Sequence, residues 1–284
     1  MSAVRVTATS YDEALAVVDA VRAVCRAGDG VDPLDEAADL QLKHRGLDGA
    51  SLWVVGDAGF ALLRGTALDL AVAPAVRRAG YGRSLAGAAL ADAPTHVDAW
   101  SHGDSPGAAA LAAEVGFKKA RELWVLRRPS AGVAEPGPVE RVTIRSYRPG
   151  DETELLRVNA AAFANHPEQG SMDAADLAER MAEPWFDPAG LLVAEDEEGG
   201  LLGFHWTKQH SADLGEVYVV GIDPAAQGRG LGRTLTAAGL THLAGLGVAD
   251  IELYVESDNA PAVSMYERLG FTHTATHVRY ARSG

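Results

Sequence analysis

A short block near residue 77 returns near residue 227, and this repetition constrains the fold more than any other feature of the chain. Arg77-Arg78-Ala79-Gly80-Tyr81-Gly82 reappears as Gln227-Gly228-Arg229-Gly230-Leu231-Gly232, 150 residues later. Val72-Ala73-Pro74 and Ile222-Asp223-Pro224 keep that offset. Glu114-Val115-Gly116-Phe117 and Arg268-Leu269-Gly270-Phe271 lie 154 apart, which also pairs Trp100 with Tyr254 and Asp104 with Asp258. Solenoid repeats recur every 20–50 residues or so, so this period means two copies of a whole domain. A length of 284 residues accommodates two domains. The expected division is 1–128, a linker over 129–140 carrying Pro129, Pro136 and Pro138, and a second copy over 141–284.

The second copy reads as α/β with a mixed sheet. Arg141 to Arg145 alternates as a strand does. Helices are expected over 151–163 and 172–181, the latter capped by Asp173 or Ser171. Strands follow over 190–194, 200–206 and 216–222, then a helix over 230–246. A strand over 251–255, a helix over 260–269 stopped by Gly270, and a strand over 271–280 complete the copy.

Strand 216–222 leads through a glycine turn straight into a helix. Glycines without side chains let successive backbone N–H groups converge on an anion, and the helix N-terminus adds free donors and a positive dipole end. Gln227-Gly228-Arg229-Gly230-Leu231-Gly232-Arg233 is thus a diphosphate cradle, with Arg229 and Arg233 adding charge. The nucleotide-triphosphate loop would need Gly-Lys-Ser/Thr, and the dinucleotide fingerprint a glycine where Arg233 stands. Both fail on spacing.

With those motifs in place, the chain resembles the Gcn5-related N-acetyltransferase family. Gln227-x-x-Gly230-x-Gly232 and Arg77-x-x-Gly80-x-Gly82 both fit its acetyl-CoA signature, Gln/Arg-x-x-Gly-x-Gly/Ala. Asn259-Ala260-Pro261-Ala262-Val263-Ser264, leading on to Gly270-Phe271, is similar to its second motif. The resemblance implies two tandem domains, each a mixed sheet flanked by helices, with acetyl-CoA as co-substrate and no metal. It places acetyl-CoA on Val220-Gly221-Ile222, on 227–233 and on 259–264. In the first copy it points to Leu70-Ala71-Val72 and Arg78-Ala79-Gly80-Tyr81-Gly82-Arg83.

The likeness is densest from 163 to 271, in Phe163-Ala164-Asn165-His166-Pro167-Glu168-Gln169-Gly170, Glu183-Pro184-Trp185-Phe186-Asp187-Pro188, Gly203–Lys208, Gly215–Gly221 and Leu253–Asn259. There it narrows to a tandem branch that acetylates the cysteinyl amine of 1-D-myo-inositol 2-(L-cysteinylamino)-2-deoxy-α-D-glucopyranoside. The resemblance carries acceptor contacts onto Glu36, Glu168, Lys208, Glu216 and Tyr254.

Amine acetylation needs a neutral nucleophile, a proton for the departing thiolate, and donors facing the developing oxyanion. Glu216 opens the central strand and is the expected base. Tyr266 stands where the family has its acid, and backbone N–H groups around Val220 and Ile222 would polarise the thioester. In the first copy Glu216 aligns with Thr66 and Tyr266 with Ala112, so that copy is expected to be catalytically silent. Acetylation of another small amine or a protein N-terminus, and a non-catalytic CoA-binding sensor, are the alternatives.

Several features are decoys. Gly103-Asp104-Ser105-Pro106-Gly107 matches the hydrolase elbow in letters, but the repeat accounts for it. His205 and His210 have no metal-site spacing. Cys25 beside Val17, Val18 and Val21 reads as core, as does Trp185-Phe186, and the lone cysteine excludes an internal disulfide. A net charge of −14, of which 11 basic and 21 acidic residues after residue 140 give −10, argues against nucleic acid. No apolar run is long enough for a membrane span. The expectation is a cytoplasmic monomer acting on a small-molecule amine.

Overall fold

The computed structural model describes residues 1–164 and 169–283. In chain order the first elements are β1 (Val4–Arg5), α1 (Tyr11–Asp29), α2 (Glu36–Leu40), β2 (Ala50–Val54), β3 (Gly59–Arg64) and β4 (Ala67–Val72). Next come α3 (Tyr81–Ala91), β5 (His96–Ser101), α4 (Pro106–Glu114) and β6 (Lys118–Pro129). The second repeat holds β7 (Val142–Ser146), α5 (Glu152–Ala162), α6 (Ala174–Met181), β8 (Leu191–Asp196), β9 (Leu201–Gln209) and β10 (Leu214–Ile222). It ends with α7 (Leu231–Gly245), β11 (Asp250–Glu256), α8 (Ala260–Arg268) and β12 (Thr272–Ser283). Every helix and strand expected over 141–284 is present, with ends shifted by a few residues. Asp173 is the cap of α6, accepting from the Ala175 and Asp176 N–H groups in a capping box with Asp176.

The chain forms two compact units, and neither is continuous in sequence. Unit 1 is Met1–Trp124 with Glu256–Asp258 and Ala275–Gly284; unit 2 is Val125–Val255 with Asn259–Thr274. The compact units therefore differ from the segments 1–128 and 141–284. The reason is strand pairing: an open strand edge needs a partner, and β5 finds one in Val278–Ser283 of β12, antiparallel from Ser101 to His96. The segment expected as a linker is anchored at its start, where Ser130 donates its N–H to the Ala249 carbonyl at 2.8 Å.

In unit 1, β1 to β4 are antiparallel neighbours and β4 runs parallel to β5. Strand alternation sorts the core into two faces. Leu52, Phe60 and Leu62 meet Val18, Val21 and Cys25 of α1. Trp53, Leu63, Leu68 and Val97 meet Leu85 and Ala89 of α3. Cys25 is buried core, as its neighbours on the helix predict.

Unit 2 repeats this plan. β7 to β10 are antiparallel and β10 runs parallel to β11, whose other neighbour is β6. Leu155 and Val158 of α5 and Leu177 of α6 pack on Leu191, Val193, Phe204 and Trp206, joined by Trp185 and Phe186. On the opposite face α7 brings Leu231 and Leu235 to Leu192 and Ala194. Gly239 sets how closely α7 approaches, because a Cβ there would come within 2.0 Å of the His205 ring. His205 is fully buried, and its Nδ1 lies 2.9 Å from the Leu235 carbonyl. No helix among the described residues is long and apolar enough to cross a membrane.

Candidate active site

The site begins where two parallel strands part. β10 pairs with β11 only from Leu214 to Val217, against Asp250 to Leu253. β10 then continues to Ile222 on β9 alone, with its register shifting between Val217 and Val219. Beyond that irregularity the β11-facing edge of Val219–Ile222 carries no paired strand among the described residues. Backbone groups of Val220, Gly221 and Ile222 therefore stand at an opening in the sheet. β4 and β5 separate sooner still, pairing only at Ala67 and Asp98.

At the end of each opening lies the glycine turn. Asp223 starts a single helical turn at Pro224–Ala226, closed by Gln227 N–H to the Pro224 carbonyl. Gly228 (φ 76°) and Gly230 (φ 79°) take the left-handed region, and Gly230 caps α7. The first helical bond across that cap is Thr234 N–H to the Gly230 carbonyl at 3.2 Å, so the donors of the first turn point out of the helix end. Gln227, Gly228, Arg229 and Gly230 are all exposed. Dipole, donors and missing Cβ atoms together fit a diphosphate. Arg229 bonds the Glu140 carbonyl at 3.0 Å, so part of its donor set is engaged beside the cradle. At the head of α8, the Asn259 side chain accepts from Ala262 N–H at 3.2 Å and Pro261 sits in the first turn.

The chemistry gathers at the paired end of the same strands. Glu216 faces Lys208 of β9 and Glu252 of β11 in register, and Tyr254 lies two residues along β11 from Glu252. Residues opposite one another, or two apart, share a face, so Lys208, Glu216, Glu252 and Tyr254 form one polar row. Two adjacent carboxylates would repel, but each has its own cation or donor. Arg127 pairs with Glu252 at 2.6 Å, and His210 Nε2 lies 2.7 Å from Glu216 Oε2. Glu216 is 6% exposed. Tyr254 is 39% exposed, and its hydroxyl is bonded to Glu252. Burial first, and then the charges of Glu216 and Glu252, push its pKa up.

Lys208 lies against an aromatic box. Its Nζ is 4.5 Å from the Trp185 ring centre and 5.2 Å from that of Tyr218, within cation–π range. Trp206 packs edge-on to Tyr218 and tilted against Trp185, and Phe186 in turn packs edge-on to Trp206. Trp185 therefore packs as core on one side and carries the Lys208 ammonium on the other.

Tyr266 sits on α8, half-buried, with its ring edge-on to Phe271 at 5.8 Å. Its hydroxyl has no hydrogen-bond partner among the described residues, and burial pushes its pKa up to about 12. It is therefore a protonated phenol at neutral pH, with its donor uncommitted.

Unit 1 keeps the glycine turn and one member of the polar row, Asp98 in the place of Glu252 and paired with Arg279, but has Thr66 and Trp100 where Glu216 and Tyr254 stand. Gly80 (φ 87°) caps α3, and Ser84 N–H reaches its carbonyl at 3.0 Å, as Thr234 does in unit 2. Arg78 holds φ 68° where unit 2 has Gly228. A cavity of about 790 Å³ lies before this cradle, lined by Leu70, Ala71, Val72, Arg78, Gly80, Tyr81, Gly82 and Arg83, and beyond by Trp100 and Tyr280. Ala79 follows in the same turn. Thr66 and Ala112, which replace Glu216 and Tyr266, offer no strong base or acid. Ser105 sits between β5 and α4 as an elbow nucleophile would, but its φ is −64° and Asp104 takes the positive φ instead. No imidazole or carboxylate bonds the Ser105 hydroxyl among the described residues, so a triad is missing.

Of the acceptor contacts expected from sequence, Lys208, Glu216 and Tyr254 share one face of unit 2. Glu36 opens α2 in unit 1, and Glu168 lies outside the described residues. Sequence reasoning missed His210, Glu252 and Arg127. His210 was legible in principle, because Gln209 and Leu214 flank a short polar turn that folds residues 210 and 216 onto one face. No group of three or more His, Cys, Asp or Glu suited to a metal occurs among the described residues.

Residues 156–271 match the model of the acetyltransferase (GNAT) family. A mycothiol acetyltransferase of a Nocardioides species is 55% identical, across 94% of this chain and 97% of its own. That of Actinosynnema mirum is 50% identical over 89% and 90%, and that of Mycobacteroides abscessus 46% over 94% of both. Among solved structures, a tandem GNAT protein from the clavulanic acid biosynthesis pathway superposes with a TM-score of 0.73. It covers 99% of this chain and 98% of its own at 18% identity, a likeness of fold.

Proposed function

The chain belongs to the acetyltransferase (GNAT) family, among the mycothiol acetyltransferases, and on that premise we propose the reaction it performs. It moves the acetyl group of acetyl-CoA onto the cysteinyl amine of 1-D-myo-inositol 2-(L-cysteinylamino)-2-deoxy-α-D-glucopyranoside. The product is mycothiol. The observation that carries this reading is the position of Glu216, a buried carboxylate at the end of the paired stretch where β10 and β11 part.

Glu216 takes the proton that frees the amine lone pair for attack on the thioester. Val220 and Ile222 N–H groups, on the unpaired edge of β10, face the oxygen that gains negative charge. One such donor is worth about 3–4 kcal/mol in a preorganised site. Tyr266 holds the proton that the leaving thiolate needs, and its raised pKa keeps that proton in place at neutral pH. Val220–Ile222, the 227–233 cradle and 259–264 hold acetyl-CoA in unit 2, while Lys208, Glu216 and Tyr254 meet the acceptor. Leu70–Val72 and Arg78–Arg83 form a second acetyl-CoA cradle in unit 1, without turnover. We read the protein as a cytoplasmic monomer acting on small molecules.

The test is acetylation of the full acceptor, read by product mass so that the acceptor's own thiol does not confuse thiol release. Cysteine and glucosamine serve as controls. Rapid conversion of the full acceptor alone supports the reading. Turnover only on other amines keeps the chemistry and discards the acceptor, and acetyl-CoA binding without turnover on any amine leaves a sensor.

A further inference from the structure

We propose that His210 is a positioning residue for Glu216, and this inference rests on the reading of Glu216 as the base. His210 follows the last residue of β9, at the mouth of a tight turn. Its N–H donates to the Leu214 carbonyl at 2.9 Å, and Ser211 Oγ accepts from Leu214 N–H at 3.1 Å and Asp213 N–H at 3.2 Å. The turn is thus fixed by its own backbone. The register pairs Gln209 with Gly215 and Lys208 with Glu216, which makes His210 and Glu216 diagonal neighbours.

The His210 side chain reaches back along that diagonal to Oε2 of Glu216 at 2.7 Å. An ionised carboxylate only accepts, so Nε2 is the donor. Among the described residues this is the one side-chain hydrogen bond that Glu216 accepts. The other charged or titratable groups on that face have partners of their own. Glu252 is held by Arg127, the Tyr254 hydroxyl is bonded to Glu252, and the Lys208 ammonium lies over Trp185 and Tyr218.

One oxygen of Glu216 is therefore fixed, and Oε1 is left to receive the amine proton. A base whose side chain is oriented by a third group is the general arrangement for activating a nucleophile. Exposure fits the two roles: the Glu216 side chain is 8% accessible and that of His210 is 33%. The carboxylate sits in the site, and the imidazole bridges it to the surface turn.

The experiment uses the full chain with acetyl-CoA and the full acceptor, and compares His210→Ala, His210→Gln, Glu216→Gln and the double variant His210→Ala/Glu216→Gln. A glutamine Nε2 can donate from nearly the same place as the imidazole Nε2. A misplaced base costs up to about a hundredfold in rate. His210→Ala is expected to lower kcat about ten- to a hundredfold, with both KM values within about twofold and an unchanged melting temperature. His210→Gln should recover most of that loss. Because His210 acts through Glu216, the double variant should be no slower than Glu216→Gln alone.

The proposal is overturned by wild-type kcat in His210→Ala, by no recovery in His210→Gln, or by a double variant slowed by the product of both losses. A rise in acceptor KM at unchanged kcat also overturns it, making His210 a substrate contact instead. Wild-type turnover by Glu216→Gln is a different result, which removes the base itself.

Discussion

Glu216 and Glu252 stand side by side on β10 and β11, and their neighbours give them different work. Glu252 is paired with Arg127, whereas Glu216 has a hydrogen-bond donor in His210 and one oxygen to spare. Replacing Glu216 by Gln should lower kcat a hundredfold or so and leave acetyl-CoA affinity unchanged in calorimetry. Arg127→Ala strands a buried carboxylate, an effect of about 3–5 kcal/mol for a fully buried pair. Arg127 is 41% exposed, so a loss nearer about 1–3 kcal/mol in urea unfolding is expected. For the thiolate's proton, Tyr266→Phe should lower kcat with little change in either KM. If Tyr254→Phe carries that loss instead, the acid is Tyr254, whose hydroxyl lies in the row with Glu216. Glu216 was named as candidate base from its place on the strand, and Lys208 and Tyr254 as candidate acceptor contacts from the family resemblance. Their shared face follows from strand alternation and register, which a strand run alone leaves open.

At the scale of elements, the strand–turn–helix of the cradle was readable from spacing, because every requirement in it is local. Gly228 and Gly230 supply two positive φ angles and remove two side chains within four residues. Gly228→Ala should cost about 1 kcal/mol of stability, a cost Arg78 already carries in unit 1, and should also weaken acetyl-CoA binding. Gly239→Ala belongs to a different class. Its Cβ would meet the His205 ring at 2.0 Å, with α7 pinned by the Leu235–His205 bond, so a loss of about 2–3 kcal/mol in thermal melts is expected. The parting of β10 from β11 left no such mark. Val217 and Val219 are equally good strand residues, and the register shift between them depends on what β9 and β11 do alongside.

Across the whole molecule, the two units carry buried imidazoles on similar terms. Burial lowers His205 in unit 2 and His277 in unit 1 to about 4 each. The fold prefers these rings neutral, while an unfolded chain protonates them near 6.5. Stability that is full above pH 6.5 is therefore lost as pH falls toward 4, by about 2 kcal/mol per ring at pH 5. The melting temperature should drop between pH 7 and pH 5. His205→Asn, which keeps a donor to the Leu235 carbonyl, should flatten that dependence.

The duplication, the two glycine turns that open α3 and α7, the order of helices and strands, and the choice of Glu216 as candidate base were readable in the linear chain. Each is a matter of local conformation or of identity at an aligned position, and a repeat in one sequence supplies its own alignment. The composition of the compact units was settled only in three dimensions. Val278–Ser283 belongs with β5 because an open sheet edge takes the partner that space provides, whatever its distance along the chain. The setting of Glu216 was decided in the same way. Register with Lys208 and Glu252 and the turn that returns His210 depend on hydrogen bonds between strands, and so could only be read from the folded sheet.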